Sequence, residues 1–285
     1  MDEVSAQTDT AKETLQDLRC TNLVEKIDIP EDYIVLQDEN AVLITHCSLP
    51  AKGNSALQQN QLCYERIKDF LGIEPITRCI METLTFEGDA LELISEYVPR
   101  GAAGCLMIHS VVDGKKKGCQ DLEQELQKPD SCSPHEPTHL FVAGTVLHND
   151  PPWLNEGLAE YVMAALQDNV SLECFSDGFS YIFRNPSTGE VREAKEGKYV
   201  PMDRSRKKHK EAGTSFDAYL TGACLWNHLD RQYGHETFMA IMQDVEDSRL
   251  SSISFVDSIL SPRIGKTGIS DLEQRFGKDS IDAFR

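Results

Sequence analysis

The sequence predicts an α+β protein, with a mixed sheet-and-helix lobe at the N-terminal side and a mainly helical lobe at the C-terminal side. Three observations predict it. β-Prone runs bounded by turn residues cluster before about residue 130. Apolar residues at helical spacing dominate from Ser133 onward. Glycines stand where several of those periodic segments end, which is a helix-stop signal. The domain reading is a flexible leader over 1–24, an α+β lobe over 25–130 and a helical lobe over 131–285.

The elements follow in order. Runs around Tyr33–Leu36 and Ala41–Thr45 flank Asp38-Glu39-Asn40 and read as a β-hairpin. Residues 55–71 place Leu57, Leu62, Ile67, Phe70 and Leu71 near one helical face, with Gly72 as the stop. Ile76–Phe86 and Gly104–Val112 read as strands, the second closed by Asp113-Gly114. Ser133–Leu147 and Trp153–Leu166 read as two helices. Between about Gln167 and Gly213 the chain reads as irregular, apart from a hairpin of Ser180–Arg184 with Glu190–Glu193. A long helix is expected over Ser215–Tyr233, ended by Gly234, and shorter ones over His235–Val245, Ser252–Leu260 and Ile269–Phe276.

Composition narrows the function. The 285 residues are 40% apolar and 26% charged, which excludes a disordered or fibrous chain. The formal net charge of −19 repels phosphate backbones and anionic bilayers, so neither a nucleic acid nor a membrane surface is an expected partner. No stretch is long and apolar enough for a membrane span. The first twenty residues carry no hydrophobic signal core. None of the nine cysteines forms a CxxC pair. Eight of them suffice for four disulfides, Cys105, Cys119 and Cys132 being close enough to staple a loop; buried free thiols are the alternative. The count leans towards an extracytoplasmic location.

The chemistry is concentrated in Ser133–Tyr161. His135-Glu136-Pro137-Thr138-His139 is an HExxH motif. On a helix, residues four apart share a face, so His135 and His139 offer two imidazoles to one ion, and Glu136 points about 100° away, towards a water on that ion. Zinc suits nitrogen and carboxylate donors with one position left open. The third ligand is expected from Glu156, with sixteen residues between it and His139, because Asp150-Pro151-Pro152 breaks the first helix and starts the second. Glu160, one turn on, faces the same way and is placed to accept the other ring N–H of a ligating histidine. Pro137 is tolerable if Ser133 caps the helix, since the first-turn N–H groups have no intrahelical partner.

These residues, with Pro152-Trp153-Leu154-Asn155-Glu156-Gly157-Leu158-Ala159-Glu160-Tyr161, make the chain resemble the gluzincin zinc metallopeptidases, the thermolysin-like and zinc aminopeptidase-like superfamily. The resemblance implies a zincin-like fold with the active-site helix at the lobe interface. It implies one zinc ion held by His135, His139 and Glu156, Glu136 as general base, and peptide or protein substrates. A second match, Tyr219-Leu220-Thr221-Gly222, places Tyr219 as an oxyanion donor, although Thr221 stands where the aminopeptidase branch has lysine. That branch's G-x-M-E-N motif is absent. Each residue has a plainer reading beside this one. His135 and His139 then sit on a surface helix, Tyr219 packs inside a buried helix, and Glu160 lies on a solvated face. The basic run Arg204–Lys210 is either a solvated loop or a recognition element for an acidic substrate end. The alternatives for the whole chain are a catalytically inactive zincin-fold binding module and a metal-dependent hydrolase of a non-peptide bond.

Overall fold

The computed structural model describes residues 33–37, 41–46, 50–75, 80–86, 106–112, 134–148, 152–185, 188–249 and 251–285. The expected leader over 1–24, the Asp113-Gly114 turn and Ser133 lie outside them. The fold is α+β, and the described residues fall into two compact units. One comprises those within 1–65 and 75–132, the other those within 66–74 and 133–285.

In the first unit the hairpin forms as its pattern predicts. β1 (Tyr33–Gln37) pairs antiparallel with β2 (Ala41–His46), Tyr33 facing His46. β3 (Ile80–Phe86) and β4 (Leu106–Val112) then add in parallel, giving the order β1-β2-β3-β4. A parallel pair needs a crossover, and α1 (Pro50–Leu71) lies in the chain between β2 and β3. It starts five residues earlier than its periodicity indicates and ends at Gly72, whose φ of +68° suits a residue without Cβ. Its buried stripe is Cys63, Tyr64, Ile67 and Leu71. Leu62, expected on that face, is 57% exposed, because the 63–67–71 spacing turns it to the opposite shoulder.

The second unit carries the HExxH segment. α2 (His135–Val142) is shorter than expected. Ala143 leaves the helix at ψ 135°, Gly144 follows at φ +69°, and a 3-10 turn spans Val146–His148. Pro137 is thus the third helical residue, where its missing N–H has no partner to lose. α3 (Trp153–Leu166) has the expected bounds. The region read as irregular is a three-stranded antiparallel sheet, β5 (Val170–Cys174), β6 (Gly178–Arg184) and β7 (Val191–Lys198). The expected hairpin is its β6–β7 half. The basic run is not a loop: α4 (Arg206–Ala212) is capped by the Ser205 side chain and closed by Gly213 at φ +69°.

α5 (Ser215–Tyr233) packs along α3, and the crossing is made by glycines. A Cβ on Gly157 would lie 2.4 Å from the Gly222 carbonyl carbon, and one on Gly222 would lie 2.2 Å from the Trp153 carbonyl oxygen. The two helices touch backbone to backbone, and the Trp226 indole N–H donates to the Leu154 carbonyl at 2.8 Å alongside. α6 (His235–Asp247), a π-helical turn over Phe255–Leu260, α7 (Ser261–Phe276) and α8 (Lys278–Asp282) complete the unit. Trp226, Phe238 and Phe255 lie fully buried in its core, and Phe70 from α1 packs on Phe238 and Tyr161. Among the described residues, no helix is long and apolar enough to cross a membrane.

Cys174 of β5 is bonded to Cys224 of α5, closing a loop with a sequence separation of 50. Cys63 is disulfide-bonded as well. The loop-building set Cys105, Cys119 and Cys132 lies outside the described residues. Closing a loop of that length removes about 4 kcal/mol of unfolded-chain entropy. Replacing Cys174 and Cys224 together by alanine is therefore expected to lower unfolding stability by roughly 2–4 kcal/mol in denaturant titrations. An unchanged midpoint would show that the bridge is energetically idle.

Candidate metal centre

Two adjoining helices bring the expected ligands together. His135 and His139, one turn apart on α2, present rings at near right angles with centroids 5.3 Å apart. Glu156 comes from the first turn of α3. Its Oε2 lies 3.7 Å from His135 Nε2 and 3.9 Å from His139 Nε2. The three ligand atoms lie within 4.8 Å of one another. Ligands about 2.0–2.1 Å from a tetrahedral ion stand roughly 3.4 Å apart, and the two imidazole–carboxylate separations exceed that by only a few tenths of an ångström. Each of the three side chains is 16% exposed, which leaves the cluster open on one side.

The outer ring nitrogens decide which atoms are free. His139 Nδ1 is 2.7 Å from Asn155 Oδ1, an acceptor, so Nδ1 carries the proton and Nε2 keeps its lone pair. His135 Nδ1 faces Glu160 Oε1 at 3.3 Å, so Nε2 is the nitrogen that a metal ion would take in place of a proton. Glu160 is only 6% exposed, and its Oε2 is buried without a hydrogen-bond partner. A buried carboxylate with one oxygen unmatched is costly unless a positive charge stands nearby. A divalent ion on the far side of His135 would supply one. The donor set therefore fits zinc on the residues' own chemistry.

Electrostatics in the metal-free cluster tell the same story. Burial draws the His135 imidazole down, but Glu156, Glu160 and Glu136 outweigh it and push it up to about 10. His139 is held below the usual imidazole range, by burial first and by the charge of His135 next, against the opposing pull of Asn155 and the carboxylates. Burial would raise Glu156, yet His135, His139 and Arg206 hold it below the usual carboxylate range. One proton shared in a nest of carboxylates is what a cation replaces.

Glu136 projects from the exposed side of α2, and its charge acts on both histidines. Tyr219, half-buried on α5, packs in a tilted arrangement against Trp153, with ring centroids 5.7 Å apart. Its hydroxyl accepts from Arg206 Nη2 at 3.1 Å, and the same Nη2 donates to Glu156 Oε1. All six residues singled out in the sequence thus lie in or beside one cluster. Thr221, in the lysine position of the Tyr219 motif, is fully buried. Its hydroxyl donates to the Asp217 carbonyl and accepts from the Val200 N–H, a packing role with no reach towards the ligands.

Two residues of the cluster escape sequence reading. Asn155 precedes Glu156 directly, and that adjacency was the available signal. Arg206 is separated from Glu156 by fifty positions, and only the folding of α4 onto α3 brings it there. Asn155→Ala is expected to weaken zinc binding about 10- to 100-fold in competition with a chelating dye, because His139 loses the acceptor that fixes its ring. Equal affinity would mean that the ring is held by packing alone. No protein-family model matches the chain, and no curated protein matches it either.

Proposed function

We propose that the chain is a zinc-dependent peptidase of the gluzincin type, with a zincin-like fold. The observation that carries this is the convergence of two Nε2 lone pairs and one carboxylate oxygen, with both Nδ1 atoms already committed to acceptors. A mixed sheet followed by adjoining HExxH and third-ligand helices agrees with the fold reading. When bound, zinc supplies Lewis acidity and brings the pKa of a coordinated water to near 7.

The protein's own residues account for the rest. His135, His139 and Glu156 would hold the ion. Glu136, on the open side, takes the proton of the attacking water and later hands it to the leaving amine. The Tyr219 hydroxyl already accepts from Arg206, so its own O–H is free to donate to the carbonyl oxygen as negative charge builds there. The Cys174–Cys224 disulfide agrees with an oxidising, extracytoplasmic compartment.

A catalytically inactive binding module is the second reading, and the Arg206–Glu156 ion pair favours it, since it draws charge from a ligand. One experiment separates the two. Zinc content is measured on purified wild type and on Glu136→Gln, and both are incubated with a broad peptide library. Cleavage by the wild type alone, abolished by a chelator, supports the peptidase. One zinc in each protein and no cleavage by either supports the module.

A further inference from the structure

Arg206 has more hydrogen-bonding capacity at the site than its contacts use. Its Nη2 serves both Glu156 and Tyr219, while no described residue takes Nη1 or Nε, and the side chain is 59% exposed. Stability does not explain the placement, because exposed ion pairs contribute little. Nor does metal binding, which an arginine on a ligand carboxylate opposes.

The position is nevertheless built. The Trp153 indole N–H donates to the Arg204 carbonyl at 2.8 Å. The His209 ring packs edge-on against Trp153 with centroids 4.6 Å apart. That ring is fully buried, with Nε2 donating to the Pro201 carbonyl at 2.9 Å and Nδ1 paired with Thr214 Oγ1 at 2.7 Å. These contacts pin α4 onto the start of α3, so the guanidinium is delivered beside the metal ligands by buried packing.

With Nη2 engaged, Nη1 and Nε each keep N–H groups that can donate a charge-assisted hydrogen bond to a carboxylate. Arg204, Lys207 and Lys208, all exposed, extend the positive charge around it, in a chain whose net charge is −19. Such a chain repels anions at long range, so a cationic patch at the site reverses the field where a substrate approaches. We propose that Arg206 is the specificity-determining residue of this site. It receives a carboxylate that the substrate carries within a residue or two of the bond to be cut. The carboxylate is either an Asp or Glu side chain or the terminal carboxylate of the peptide. This inference rests on the peptidase reading.

Succinic acid monohydroxamate and its neutral carboxamide analogue form a matched probe pair, because the hydroxamate anchors each on zinc whatever the peptide preference. Calorimetric titration of the zinc-loaded chain is expected to show the acid binding about ten times more tightly than the amide. In Arg206→Gln that ratio falls to near one, and Arg206→Lys restores part of it. A wild-type ratio of one, or a ratio kept in Arg206→Gln, overturns the inference. A chain that takes up no zinc overturns the metal reading beneath it as well, and the zinc titration reads that separately. Two peptide arms then identify the source of the charge. One set carries Asp or Glu with an amidated end; the other has neutral side chains and a free end. The favoured set shows a lower KM that Arg206→Gln raises more than it lowers kcat. Equal KM for charged and fully neutral peptides also overturns the inference.

Discussion

Replacing Glu136 by glutamine is expected to lower kcat about 10²- to 10⁴-fold while the protein still takes up one zinc ion. Glutamine keeps the size and loses the basicity, so the water near the ion has no proton acceptor on the open side of α2. Glu136 is exposed and contributes no ligand atom to the three-residue cluster, so the metal has no reason to leave. Metal analysis and steady-state kinetics on the same preparation read both halves. Undiminished turnover would remove Glu136 from the reaction. Lost zinc would mean that its charge, which acts on both histidines, is needed to hold the ion.

Gly222→Ala is expected to cost more than 3 kcal/mol in stability, or to prevent folding altogether. The added methyl would stand 2.2 Å from the Trp153 carbonyl oxygen, and that atom belongs to a helix backbone that no rotamer change can move aside. Thermal unfolding and expression level read the effect. Gly157→Ala meets the Gly222 backbone and should behave alike. At exposed Gly189, where a Cβ meets nothing within 4 Å, alanine is expected to cost much less, limited to the strain of φ +73°. Comparable losses at all three would show that backbone approach is not what these residues provide. The contact also links two motifs, because Gly157 follows Glu156 directly and Gly222 lies three residues past Tyr219. Prising the helices apart would move Tyr219 away from Glu156.

What was legible in the sequence was local. Gly72 and Gly234 stop helices where chain chemistry says they must, and the HExxH spacing places two imidazoles on one face whatever surrounds them. Glu156 was legible because the Asp150-Pro151-Pro152 break leaves few ways for the next helix to begin. The rest depends on distant partners. β5 was missed because its alternation of buried and exposed residues spans only five positions. α4 was read as a solvated loop because its charges are exposed, while what secures it is His209, buried through Trp153 of another helix. The inner face of α1 was misplaced at Leu62 because a short apolar stripe tolerates a shift of one residue. Arg206 was legible only as a member of the basic run Arg204–Lys210, since the forty-nine residues between it and Glu156 carry no rule about where a chain returns.

The Cys174–Cys224 bond encloses both the sheet hairpin and Arg206, and its second sulfur sits on the helix that carries Tyr219. A single main-chain cut anywhere inside that enclosure leaves the severed pieces tethered through sulfur. His135, His139 and Glu156 on one piece, and Arg206 and Tyr219 on the other, would then stay parts of one covalent object even after a protease had opened the exposed hairpin tip.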